Sequence, residues 1–216
     1  MRGYTMYQVL CCGMFILAAT GLSVYGQAEE ASPIFADSFR EKLAEGWAWL
    51  RELPGGWRIR EGGLEIRALP GDANTVKNAL LRPAPDRTAG PFAVEVTVSN
   101  VTPPTVQYEQ VGITWYVDEK SVFKLVKELI DGKIYIIPGR KPVENVPIRL
   151  RLVIDGDRWT AQYRPAGEKE FLVAAEGTLP PPANDHVSLQ CYHGPENAEH
   201  WMRFEDFRIL RLPSKR

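Results

Sequence analysis

Apolar residues recur at every second position along most of the chain. Phe92, Val94, Val96 and Val98 alternate with Ala93, Glu95, Thr97 and Ser99, and Ile148, Leu150, Leu152 and Ile154 enclose Arg149 and Arg151. Trp159, Ala161 and Tyr163 repeat the pattern, as do Val187, Leu189 and Cys191 against Ser188 and Gln190. A period of two places one set on a single face of a pleated strand. Each run is short and ends in turn residues. Glu61-Gly62-Gly63, Asp131-Gly132 and Asp155-Gly156-Asp157 predict tight hairpins, because Gly and Asp accept positive φ. Prolines at 103–104 and 180–182 mark loops. Many short strands at regular spacing predict an all-β fold, a sandwich of two antiparallel sheets.

Two stretches compete with that reading. Residues 38–45 predict a short helical turn capped by Ser38. Lys124 and Glu128 are four apart, a helical spacing. On a helix, however, Val122, Phe123, Leu125, Val126, Leu129 and Ile130 would ring the whole cylinder, so a strand is expected. The two ends of the domain look alike: Phe35, Asp37 and Phe39 near the start, Phe204, Asp206 and Phe207 near the finish. First and last strands lying side by side would bury these aromatics together. Asp37 and Asp206 are read as surface carboxylates, with a structural cation as the alternative.

The chain has 216 residues and a formal net charge of −1. Arg2 followed by an apolar or small stretch at 9–24 reads as an export signal, residues 1–28, and predicts a secreted or periplasmic protein. That stretch is short for a bilayer span. The remainder, roughly 190 residues, suits one domain, 29–216. Without a basic run, nucleic acid is not an expected partner. Two of the three cysteines lie in the apolar start, so the mature chain has only Cys191, in phase with core positions. A buried core thiol is expected there.

The densest polar chemistry lies in residues 108–133. If Val111 and Ile113 face the core, Gln110 faces out. If Phe123, Leu125 and Leu129 face the core, Lys124 and Glu128 face out, and Lys127 must find a partner of its own. Asn78 and Arg82 share a face with Leu80 between them. Trp49 sits beside Glu52 in a loop. Trp115 and Tyr116 are adjacent in one strand, so one of them must point outward. An ordinary solvated face with a weak salt bridge is the competing reading of these groups. His193-Gly194-Pro195-Glu196-Asn197-Ala198-Glu199-His200 reads as a loop rather than a metal site, since no His-Glu-x-x-His is present. His193 follows a strand and is expected at a cleft rim. No Gly-rich phosphate loop, Cys-x-x-Cys pair or Gly-x-Ser-x-Gly elbow occurs, so no cofactor or metal is expected.

The ordered set Trp47-Ala48-Trp49, Glu61-Gly62-Gly63-Leu64, Asn78-Ala79-Leu80-Leu81-Arg82, Tyr108-Glu109-Gln110-Val111-Gly112, Lys124-Leu125-Val126-Lys127-Glu128, Tyr192-His193-Gly194 and Phe204-Glu205-Asp206-Phe207-Arg208 resembles the DUF1349 family. It is similar, more weakly, to the C-terminal domain of family 43 β-xylosidases. The resemblance implies a concanavalin A-like jelly roll with a concave face and an association with carbohydrate. It carries over no catalytic residue. The expected function is lectin-like binding of an oligosaccharide or polysaccharide by Trp49, Glu52, Asn78, Arg82, Gln110, Lys124, Glu128 and His193, with Trp115 as stacking platform. The alternatives are a glycosidase or lyase using Glu128 with Glu52 or His193, and a cell-envelope protein-interaction module. Hydrolysis needs two convergent carboxyl groups, and no Glu-x-Asp-x-x-Glu strand is present.

Overall fold

The computed structural model describes Met1 and residues 31–213. The expected export signal at 1–28 lies outside the described residues, Met1 apart. Fifteen strands follow in order: β1 (Ser32–Asp37), β2 (Ala48–Leu50), β3 (Trp57–Arg60), β4 (Gly63–Ala68), β5 (Ala79–Pro83), β6 (Phe92–Asn100), β7 (Gln110–Val117), β8 (Lys120–Ile130), β9 (Lys133–Ile137), β10 (Lys141–Val143), β11 (Ile148–Asp155), β12 (Arg158–Pro165), β13 (Leu172–Thr178), β14 (Asp185–Tyr192) and β15 (His200–Arg211). They form two antiparallel sheets. Sheet A runs β13-β12-β11-β6-β15-β4-β3, with β1 also paired to β15, and sheet B runs β10-β9-β8-β7-β14-β5-β2.

The period-two runs decide which side of each strand is dry. Val94, Val96 and Val98 of β6, Ile148, Leu150, Leu152 and Ile154 of β11, and Val111, Ile113 and Trp115 of β7 all enter one core between the sheets. Cys191 joins them, and burial pushes its thiol up, so it packs as a small apolar group rather than a nucleophile. The hairpin turns fall where Gly and acidic residues predict them. Glu61 and Gly62 take φ of 50° and 75°, and Asp131 and Gly132 take 50° and 74°, the left-handed pair that matches strand twist. Residues 124–130 lie within β8, the reading the apolar ring argument favours.

The first and last described strands meet as expected. β1 pairs with β15, and Phe35 lies 6.0 Å from Phe207, ring centre to ring centre. The expected helical turn at 38–45 is absent. Asp37 organises this segment instead: its carboxylate accepts from the backbone N–H of Phe39 and Ala44 and from the Trp47 indole (2.8, 2.8 and 2.9 Å). Those bonds turn the chain with Phe39 at φ 52°, which leaves Ser38 nothing to cap. Asp206 pairs with Arg149 and Arg208. No group of metal-ligating side chains converges among the described residues, and none of their helices is long and apolar enough to cross a membrane.

Candidate functional site

The outer face of sheet B, opposite the core, carries Gln110, Thr114 and Tyr116 from β7, Lys124, Val126 and Glu128 from β8, and Ser188, Gln190 and Tyr192 from β14. Register brings the predicted trio together. Gln110 stands opposite Glu128 in the β7–β8 ladder. Lys124 Nζ donates to Gln110 Oε1 at 2.8 Å and to Glu128 Oε2 at 3.1 Å. Gln110 Nε2 donates to the Tyr108 carbonyl at 2.9 Å. The Lys124 side chain is 33% exposed while that of Glu128 is only 6% exposed. The carboxylate is therefore held in place, and the ammonium is the group open to solvent.

This face is not an open concave sheet. Residues 70–77 form a strap across it. Val76, Ala79 and Tyr192 bury one another beneath the strap, with Ala73, Leu50 and Leu81 packed around them. The Tyr116 hydroxyl donates to Gln190 Oε1 at 2.9 Å, with the Ala73 carbonyl at 3.3 Å. Ser188 Oγ also donates to Gln190 Oε1, at 3.0 Å. Gln190 Nε2 and Thr114 Oγ1 are left buried with no partner. Native interiors rarely tolerate such atoms without an ordered water or a ligand.

The sandwich end opens into a cleft of about 760 Å³, lined by Gly71, Asp72, Val106, His193, Glu196 and Asn197 among others. None of the trio lines it, but Tyr192, which pairs with Gln110 in the β7–β14 ladder, borders His193. Gly194 permits its tight floor, because a Cβ there would strike the Ala68 carbonyl. Rings border the cleft: Tyr108, 47% exposed, lies 6.2 Å edge-on from His193, and Tyr192 lies 5.3 Å from it. Asp72 accepts from the backbone N–H groups of Asn74 and Thr75, and the Asn74 bond, with the Thr75 hydroxyl, holds its carboxyl below the usual carboxylate value. Burial pushes the Tyr192 phenol upward, helped by the negative charge of Glu128 and Asp72. Tyr192 thus stands between the two sites, paired with Gln110 on one side and with its ring against His193 on the other.

Several expected site residues lie elsewhere. Trp115 is 0% exposed, stacked 6.3 Å from Phe92 in the core, so it offers no platform to a ligand. Its neighbour Tyr116 takes the outward face and is covered by the strap. Trp49 faces inward from β2 and packs 4.9 Å from Trp57. Glu52 accepts from the Trp57 indole at 2.9 Å. It follows β2, four strand positions from β8, or roughly 19 Å at normal strand spacing. That separation rules out a hydrolytic pair of Glu52 with Glu128. Arg82 shares the inner side with Leu80, stacks its guanidinium 3.4 Å from the Phe35 ring and donates to the Glu45 carbonyl. Asn78 is fully buried at φ 54°, where its Oδ1 accepts from Leu53 N–H at 2.7 Å and anchors the strap. Side-chain alternation puts 78, 80 and 82 together correctly, but on the core side.

One buried pair escapes the sequence reading. His200 Nδ1 donates to Glu109 Oε1 at 2.8 Å, and Glu109 Oε2 accepts from Thr105 and Val106 N–H. The partners are 91 residues apart, and His200 opens a strand instead of ending a loop. Lys127, which breaks the inward pattern of β8, donates to Asn145 Oδ1 at 2.6 Å and to the Val146 carbonyl at 2.9 Å. Burial lowers its pKa to about 8.

No protein-family model and no curated protein matches the chain. Solved structures do resemble it. A mutant GH43 protein from Bacillus licheniformis superposes with TM-score 0.70 at 20% identity, over 82% of this chain and 39% of that one. A xylan β-1,4-xylosidase from Bacillus halodurans gives 0.61 at 15% identity, over 81% and 38%. The CBM2 module of the evolved Dit of Lactobacillus casei BL23 phage J-1 gives 0.59 at 8% identity, over 88% and 99%. The chain spans about two fifths of the length of the two GH43 and xylosidase structures. At these identities the likeness is one of fold: a concanavalin A-like sandwich of two antiparallel sheets, shared with the β-sandwich domains of GH43 proteins.

Proposed function

We propose that the protein is an exported, lectin-like carbohydrate-binding protein of the DUF1349 type, secreted or periplasmic. Its ligand is an oligosaccharide or polysaccharide bound at the sandwich end. The observation that carries this reading is the Lys124–Gln110–Glu128 cluster, in which the ammonium donates to both the amide and the carboxylate and the amide donates to the Tyr108 carbonyl. Sugar recognition needs planar and charged groups for vicinal hydroxyls and an aromatic face for C–H groups, both at fixed geometry. The names of neighbouring structures, a xylosidase and a CBM2 module, support the same ligand class. Asp72, Glu128 and Glu196 set three carboxylates against the one Lys124 ammonium, which favours a neutral, hydroxyl-rich ligand over an acidic one.

Lys124 and His193 would donate to hydroxyl oxygens and Asp72 would accept from hydroxyl protons, while the nearly buried Glu128 and Gln110 hold Lys124 in place. Tyr108 takes the stacking role expected of Trp115. Replacing Glu128 with Gln tests the site. The amide keeps the shape but lacks the charge that positions Lys124, so binding to a panel of neutral glycans should be lost while the fold persists. Unchanged affinity would remove the cluster from the site.

A further inference from the structure

We infer that the cleft takes the end of a glycan chain, and that the strap of residues 70–77 prevents an internal segment from crossing sheet B. This rests on the carbohydrate-binding reading above. Across β8, β7 and β14 the outer-face rows run Glu128, Gln110, Tyr192 and Lys124, Thr114, Ser188, with Gln190 between them, and a long chain would lie along these rows. Tyr116, Ser188, Thr114 and Gln190 are nevertheless at most 1% exposed. The strap closes over β7 and β14 and parts the side toward Lys124, Tyr108 and His193 from a separate pocket of about 440 Å³ at Ala48, Leu81 and His186 on the far side.

The strap is fastened at both ends. Leu69 bridges to Tyr192 at its start. At its far end Arg51 Nε donates to the Val76 carbonyl at 2.7 Å, and the buried Asn78 side chain holds Leu53 N–H. Between them Asp72 and Thr75 close a turn through their side chains and backbone. Val76, 1% exposed, plugs the space against Ala79 and Tyr192. A chain entering past Lys124 therefore meets a wall. Thr114, opposite Lys124 in the β7–β8 ladder, and Gln190 carry unpartnered polar atoms at this wall. Both atoms are sealed behind the wall, where a buried water rather than a ligand would satisfy them.

The test is a soluble library of neutral oligosaccharides screened against the whole protein by native mass spectrometry. Each bound member is screened again after borohydride reduction of its reducing end, and after enzymatic extension at its other end. Chain-end recognition predicts that one of the two changes weakens binding at least about tenfold. A Val76→Ala variant, with the plug trimmed, should bind the blocked oligosaccharides better relative to the free ones. Equal binding of free and doubly blocked oligosaccharides would overturn the inference and leave carbohydrate binding standing. Unchanged discrimination in folded Val76→Ala would deny the strap its role. Binding of no oligosaccharide at all would overturn the carbohydrate reading itself, and the inference with it.

Discussion

On the outer face of sheet A, Glu65 lies between Arg58 and Arg203, at 2.6 and 3.1 Å, and Glu95 lies between Arg149 and Arg151, at 2.9 and 3.0 Å. Glu205 and Asp206 likewise face arginines. On the outer face of sheet B, one lysine serves one carboxylate and one amide, a strap hides the rest, and Gln190 Nε2 and Thr114 Oγ1 have no partner. Sheet A is the more charged face and has little left to offer a ligand, because its carboxylates are already matched. Buried unpartnered atoms do not separate the faces, since Arg67 Nε and Arg151 Nε of sheet A lack a hydrogen bond too. What separates them is that Glu65 and Glu95 of sheet A are each matched by two arginines, whereas sheet B has less charge and ends beside an open cleft.

Removing Glu95 should strike hardest, and only at stability. Glu95→Ala leaves Arg151 without its carboxylate and the nearly buried Arg149 with Asp206 as its only carboxylate, and breaking such a pair costs about 3 kcal/mol. Urea unfolding should show the loss, with glycan binding intact in the folded fraction. A loss of binding per folded molecule would erase the distinction between the faces.

A second large effect belongs to the inner side of sheet B. Lys127 is buried with only neutral acceptors, and its pKa falls from 10.5 to about 8. Between those values the unfolded chain still holds a proton that the folded chain has released, so stability rises with pH through this window. Below about pH 8 the full cost of the buried charge remains. Compared with Lys127→Met, the wild type should gain stability on the order of 3 kcal/mol between pH 8 and 10.5, read from paired unfolding curves. Parallel curves for the two proteins would mean that Lys127 is solvated. Tyr192 works the other way: its raised pKa means stability is lost as pH climbs past 10, the ordinary phenol value.

Gln110→Ala should lower glycan affinity at least about tenfold, or 1.4 kcal/mol, by freeing Lys124 from its place. Its cost in stability should stay near 1 kcal/mol, the usual net worth of a hydrogen bond. The smallest effect is expected at Thr114. Thr114→Val removes an unpartnered buried hydroxyl and should leave stability unchanged or raise it by up to about 1 kcal/mol. A clear destabilisation, measured by thermal unfolding, would show that the hydroxyl is already satisfied.

Much of the framework was legible because strand periodicity is local. Val94 with Val96, or Ile148 with Leu150, need no distant information to declare a face, and Glu61-Gly62 and Asp131-Gly132 declare turns by their backbone freedom. The same alternation put Gln110, Lys124 and Glu128 on one side. It also put Trp115 inward, in phase with Val111 and Ile113, so a stacking role for Trp115 ran against the period of its own strand. It grouped Asn78 with Arg82 but did not fix the side, because edge strands such as β2 leave the inner face of β5 partly accessible to polar groups. Residues 70–77 have no periodicity, so nothing local announced that they would cross the outer face of sheet B. The Glu109–His200 bond joins segments that only the finished sandwich brings together.

The central claim is that the Lys124–Gln110–Glu128 cluster and its cleft bind glycan, while the charged face of sheet A only holds the fold together. Its most direct test is a soluble neutral glycan panel read by native mass spectrometry on wild type, Glu128→Gln and Glu95→Ala side by side, each corrected for folded fraction. Wild type and Glu95→Ala should show matching glycan binding, and Glu128→Gln none. Equal binding by Glu128→Gln, or binding lost in folded Glu95→Ala alone, would contradict that claim.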